Sequence, residues 1–68
     1  MISQNDLEMR KIVLSNRAQS YIKTRKYREA EVDADQALSI DPGHIKSVQR
    51  RGTAKYYLNK YKEALKDF

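Results

Sequence analysis

The stretch Lys26–Ala34, KYREAEVDA, returns 34 residues later as KYKEALKDF at Lys60–Phe68, with five of nine positions identical and Arg28 exchanged for Lys62. Self-similarity at a fixed period constrains the fold more than any other feature of this chain. A unit that recurs in this way is one supersecondary element, and it buries its apolar face only by stacking on its neighbours. The remaining residues say what kind of unit it is.

Periodicity points to helices. From Leu7 to Ile22 the apolar residues Leu7, Leu14, Ala18 and Tyr21 recur at helical spacing, which marks one face of a helix. Asn5 or Asp6 is the expected cap, and Ser3 with Asp6 makes a loose capping box. The next segment places Ala30, Ala34, Ala37 and Leu38 on one stripe, with Glu29 and Glu31 near its start, where negative charge is favoured. A stripe of alanines lets neighbouring helices approach closely, so this helix is expected between two others. Pro42 biases Asp41 away from helical geometry and Gly43 accepts a turn, so the second helix should end near Ile40. A third helix is expected from Ile45 to Leu58, with Val48, Gly52 and Tyr56 one turn apart and Asn59 as a left-handed stop. A fourth begins near Tyr61 and is cut at Phe68. The fold class is all-α, built of antiparallel helical hairpins.

Composition narrows the function. With 40% hydrophobic and 34% charged residues the chain reads as globular, and it has no apolar run long enough to span a membrane. No leader pattern stands at its start. It has no cysteine and a single histidine, His44, so neither a disulfide framework nor a zinc site is available. The absence of cysteine fits a reducing compartment, and cytoplasmic residence is the default. No nucleophile and base stand together, no cofactor motif is present, and Asp33 and Asp35, two apart on a helix, face different directions. Catalysis and metal binding are therefore not expected. The net charge of +5 raises nucleic acid as a partner. However, the basic run KTRKYR sits at an expected helix end, where cations complement the dipole, so neither nucleic acid nor membrane is the expected partner.

The period and its residues resemble the tetratricopeptide repeat, a 34-residue helix–turn–helix unit of α-solenoids. In this register one repeat runs from Lys11 to His44, carrying Leu14, Arg17, Ala18, Tyr21, Ala30, Ala34 and Pro42. A second starts at Ile45, supplies Val48, Arg51, Gly52, Ala64 and Phe68, and is truncated in its second helix over residues 45–68. Residues 1–10 form a linker or an extension of the first helix. Departures from the pattern are Arg17 and Arg51 at its leucine position and Lys55 at its tyrosine position. Both arginines are expected to turn their aliphatic stems into the hairpin. Because such arrays need about three repeats for stability, the resemblance implies an excerpt of a longer domain.

The resemblance also implies a groove lined by the first helix of each hairpin, here Ile12, Asn16, Gln19 and Lys23, then Lys46, Arg50, Thr53 and Tyr57. VLSNRA and IKSVQRRG look like repeats of the carboxylate-clamp subgroup of co-chaperones. Their partners are the acidic C-terminal tails of the seventy- and ninety-kilodalton heat-shock chaperones. Carried over by position, Asn16, Lys46 and Arg50 are the carboxylate-binding residues. Ile12, Gln19, Lys23, Thr53 and Tyr57 form the groove wall. Side-chain chemistry agrees: Lys46 and Arg50, four apart, share a helix face, and arginine holds a carboxylate with two parallel hydrogen bonds while lysine adds a compact charge. The alternative is a structural scaffold segment that binds other protein subunits in a macromolecular assembly.

Overall fold

The computed structural model describes residues 3–66, with side chains through residue 62. It contains three helices, α1 (Gln4–Lys23), α2 (Tyr27–Ile40) and α3 (Ile45–Lys66), and no strand among the described residues. Helix α1 starts earlier than periodicity suggested because its capping box is complete. The Asp6 amide donates to Ser3 Oγ at 3.2 Å and the Ser3 amide donates to Asp6 Oδ2 at 3.4 Å, so two otherwise unpaired donors are satisfied reciprocally.

The turn after α1 is a left-handed helix stop. Arg25 has φ 63°, the Lys26 amide donates to Tyr21 O at 2.7 Å and the Arg25 amide to Ile22 O at 3.1 Å, the two bonds of a Schellman motif. An arginine in this conformation pays a steric penalty of about 1–2 kcal/mol that glycine escapes. Arg25→Gly should therefore leave stability unchanged or raise it by up to about 1 kcal/mol, whereas Arg25→Val should lower it by at least as much. Thermal melts of the two variants check this.

Helix α2 ends as expected. Asp41, before Pro42, is extended with φ −141° and ψ 94°, and its Oδ1 accepts the Gly43 amide at 3.1 Å to close the turn into α3. The alanine stripe is the core. Ala18 of α1, Ala30 and Ala34 of α2, and Ala54 of α3 are fully buried in one cluster, with Tyr21, Ile22 and Tyr27 packed against it. Leu14, Ala37 and Leu38 extend this core. Helix α2 thus lies between α1 and α3, and small side chains set how closely they approach.

Helix α3 departs from expectation. It continues through Asn59 to Lys66 instead of stopping at Leu58, so the separate fourth helix is not formed. Asn59 lies 34 residues after Arg25, the one positive-φ position among the described non-glycine residues, yet it stays helical. The physical reason is local. Thr53–Lys66 contains no glycine or proline, and one asparagine in a helix costs well under about 1 kcal/mol. The first turn is held because α2 buries its alanines against two helices. Ala64 and Phe68, which the repeat pattern assigns to that hairpin, lie outside the residues whose side chains are described. The Val48–Gly52–Tyr56 stripe is not a core face either. All three are exposed, and Ser47 and Ala54 are the buried residues of α3 among the described side chains.

Candidate functional site

Helices α1 and α3 flank a cleft of about 540 Å³. Ile12, Ser15 and Asn16 line it from α1, Asp41, Gly43 and His44 from the intervening turn, and Ile45 and Lys46 from α3. Of the residues expected from sequence, the cleft brings together Asn16, Lys46 and Ile12. The periodicity that puts Leu14 and Ala18 into the core leaves Ile12 and Asn16 on the neighbouring face of α1. On α3, burial of Ser47 and Ala54 does the same for Lys46.

Arg50 stands at the margin of this cleft and does not line it. Its Nη1 donates to Ser15 O and to Ser15 Oγ, both at 2.7 Å, which joins α3 to α1 across the groove. Arg50 is half-buried and forms no ion pair among the described residues. Gln19, Lys23, Thr53 and Tyr57 lie farther toward the C-terminal end of α1 and outside the cleft. Gln19 and Tyr57 are half-buried, and Thr53 Oγ1 donates to Gln49 O at 2.9 Å. Tyr57 stacks on Tyr27 with ring centroids 4.7 Å apart, and Tyr56 meets it edge-on at 5.2 Å. A stack of this kind joins α3 to α2.

The floor of the cleft carries a charge that sequence reading missed. Asp41 would repel an incoming anion, but Lys11 holds it. The Lys11 ammonium, with its side chain only 8% exposed, lies 2.9 Å from Glu8 Oε2 and 3.0 Å from Asp41 Oδ2. The hydrogen bonds that the ammonium donates to Glu8, and then to Asp41, raise the Lys11 pKa above its ordinary value. The bond from Lys11 and that from the Gly43 amide lower the Asp41 pKa. A lowered carboxyl contributes stability above its unfolded value of about 3.9 and loses it as pH falls through the folded pKa. A raised ammonium contributes below about 10.4 and loses it as pH rises through its own folded pKa. The contribution of this pair to the melting temperature should accordingly be constant between these limits and fall on both sides. Asp41→Asn should lower the plateau and reduce the acid limb, which scanning calorimetry across pH reads directly.

The two arginines at the pattern's leucine position act through their charged ends. Arg17 is 54% exposed, and its Nε and Nη2 donate to the buried Asp33 carboxylate at 2.6 and 2.9 Å. The hydrogen bonds it donates to Asp33 raise its pKa further. Its guanidinium also lies 5.9 Å from the Tyr21 ring centroid. Arg51 reaches Asp35 at 3.4 Å with both side chains substantially exposed. Asp33 and Asp35 thus serve opposite neighbours of α2, as their spacing implies. The expectation that the arginine stems are turned into the hairpin is corrected for Arg17 by its exposure, while Arg51 is half-buried and reaches α2. No cluster of metal-ligating side chains occurs among the described residues, and no helix there is long and apolar enough to cross a membrane. Ser15 was invisible in the sequence, because a mid-helix serine beside a core leucine carries no spacing signal.

Residues 12–44 match the family model of the tetratricopeptide repeat. The chain is 48% identical over 57 residues to RNA polymerase II-associated protein 3 of Homo sapiens, a match covering 84% of the chain and 9% of that protein. It is 39% identical over 57 residues to the small glutamine-rich tetratricopeptide repeat-containing protein 2 of Saccharomyces cerevisiae, covering 84% of the chain and 16% of that protein. It is also 46% identical over 54 residues to serine/threonine-protein phosphatase T of Aspergillus oryzae, covering 79% of the chain and 11% of the phosphatase. The chain thus spans a sixth or less of each of these relatives. No solved structure matches.

Proposed function

The chain belongs to the tetratricopeptide repeat family of protein-interaction modules, and from that premise we propose that its α1–α3 cleft holds the C-terminal carboxylate of an acidic peptide. Asn16 donates from its amide, Lys46 supplies a compact positive charge, and Arg50 offers its guanidinium at the cleft margin. In this reading the chain is an adaptor of the co-chaperone type, and the peptide is the tail of a seventy- or ninety-kilodalton heat-shock chaperone in the cytoplasm. The observation that carries the reading is that Asn16 and Lys46, on different helices and 30 residues apart in sequence, line one cleft. The pairing of Asp41 with Lys11 supports it, since an ammonium beside that carboxylate weakens its repulsion of an anion entering the cleft.

Amide chemical-shift mapping with a short peptide of aspartate and glutamate residues ending in a free carboxylate tests the location. Shifts are expected along Ile12–Gln19 and Ile45–Arg50, with Val32 and Gln36 on the outer side of α2 undisturbed. Shifts concentrated instead between α2 and α3, around Arg28, Lys55 and Lys62, would place the acidic partner on another face and favour the scaffold reading.

A further inference from the structure

The way Arg50 is held says more than that it lies near the cleft. A guanidinium has five N–H donors in a rigid plane. Nη1 carries two of them, and both are directed to Ser15, one to its carbonyl oxygen and one to its hydroxyl, each at 2.7 Å. Among the described residues no acceptor takes the remaining edge, formed by Nε and Nη2. The same molecule shows what that edge does when a carboxylate is present. Arg17 uses Nε and Nη2 as a fork on the two oxygens of Asp33, at 2.6 and 2.9 Å. Arg50 therefore presents, with its other edge already fastened, the pair of donors that grips a carboxylate elsewhere in this fold.

We infer that Ser15 is a positioning residue for carboxylate recognition, which fixes the Arg50 guanidinium so that its Nε and Nη2 edge is kept for the peptide's terminal carboxylate. The inference rests on the proposed function of the cleft. Ser15 itself is 2% exposed and sits in the cleft wall next to Asn16. It acts on the ligand through Arg50, by lowering the number of orientations the long side chain must surrender on binding. Its backbone carbonyl would remain after a side-chain change, so removing the hydroxyl loosens the guanidinium without freeing it.

The test is a double-mutant cycle in the full chain, read by calorimetric titration with the acidic peptide in free-acid and amidated forms. Ser15→Ala should weaken the free-acid peptide about fivefold to tenfold, the scale of one hydrogen bond. It should leave the amidated peptide unchanged and have no further effect when Arg50 is already alanine. Equal weakening of both peptide forms, full additivity with Arg50→Ala, or no weakening at all would overturn the inference. If Arg50→Ala alone leaves free-acid binding intact, the carboxylate reading of the cleft fails, an outcome distinct from failure of Ser15 alone. Far-UV circular dichroism confirms folding of each variant. Should Ser15→Ala unfold, Ser15→Cys, of similar volume and poorer as an acceptor, carries the same cycle and the same expected loss.

Discussion

Ala30→Leu should destabilise the chain by about 1–3 kcal/mol, because the added carbons have no room between three helices. Ala30 is fully buried, as are Ala18, Ala34 and Ala54 in the same cluster. Close packing of this kind transmits any added volume to the backbone. The substitution does not remove a contact. It forces α2 away from α1, from α3, or from both, and so strikes the interfaces on which a repeat unit depends for burial. Gln36→Lys on the exposed side of the same helix should change stability by less than about 0.5 kcal/mol. Urea melts at one protein concentration compare the two. Equal effects would mean that α2 does not lie between its neighbours.

Arg50→Ala should weaken binding of the acidic C-terminal peptide by about 2 kcal/mol, close to a thirtyfold loss, because a charge-assisted pair in a partly desolvated site is removed. The neighbouring Arg51→Ala should change affinity by less than about threefold. Its contact with Asp35 is long and exposed, the kind of pair that contributes between about 0 and 1 kcal/mol to stability. One residue step turns a helical side chain by about 100°, so adjacent arginines report on different faces. The contrast is specific to the register used here. Were Arg51 the sensitive residue, the groove would lie on the α2 side of α3.

The fold was legible wherever burial and chain punctuation coincide. Ala30, Ala34, Ala37 and Leu38 announced the buried face of α2, and Pro42 announced its end, because each of these residues restricts the backbone or the packing by itself. Asn59 did not end α3. An asparagine permits a left-handed stop but does not require one, and the first repeat places an arginine, a poorer residue for that geometry, in the same role. The intrinsic preference of asparagine for that geometry is too small to break a run free of glycine and proline. The candidate site was legible as a face, since Asn16 and Lys46 follow from register alone. Its electrostatics were not. That Lys11 pairs with Asp41 beneath the cleft, and that Ser15 fastens Arg50, depends on contacts between residues 30 and 35 positions apart. No local pattern distinguishes those residues from ordinary solvated side chains.

The central claim is that the cleft recognises a terminal carboxylate and not acidity in general. Titration of the full chain with one acidic peptide, synthesised once with a free C-terminus and once as the amide, addresses it without altering the protein. The free acid should bind at least about tenfold more tightly, in line with a charge-assisted contact to the terminal group. The difference should narrow as salt screens the Lys46 and Arg50 charges. Equal affinities for the two peptides at low salt would contradict the account, since side-chain carboxylates alone would then be doing the binding.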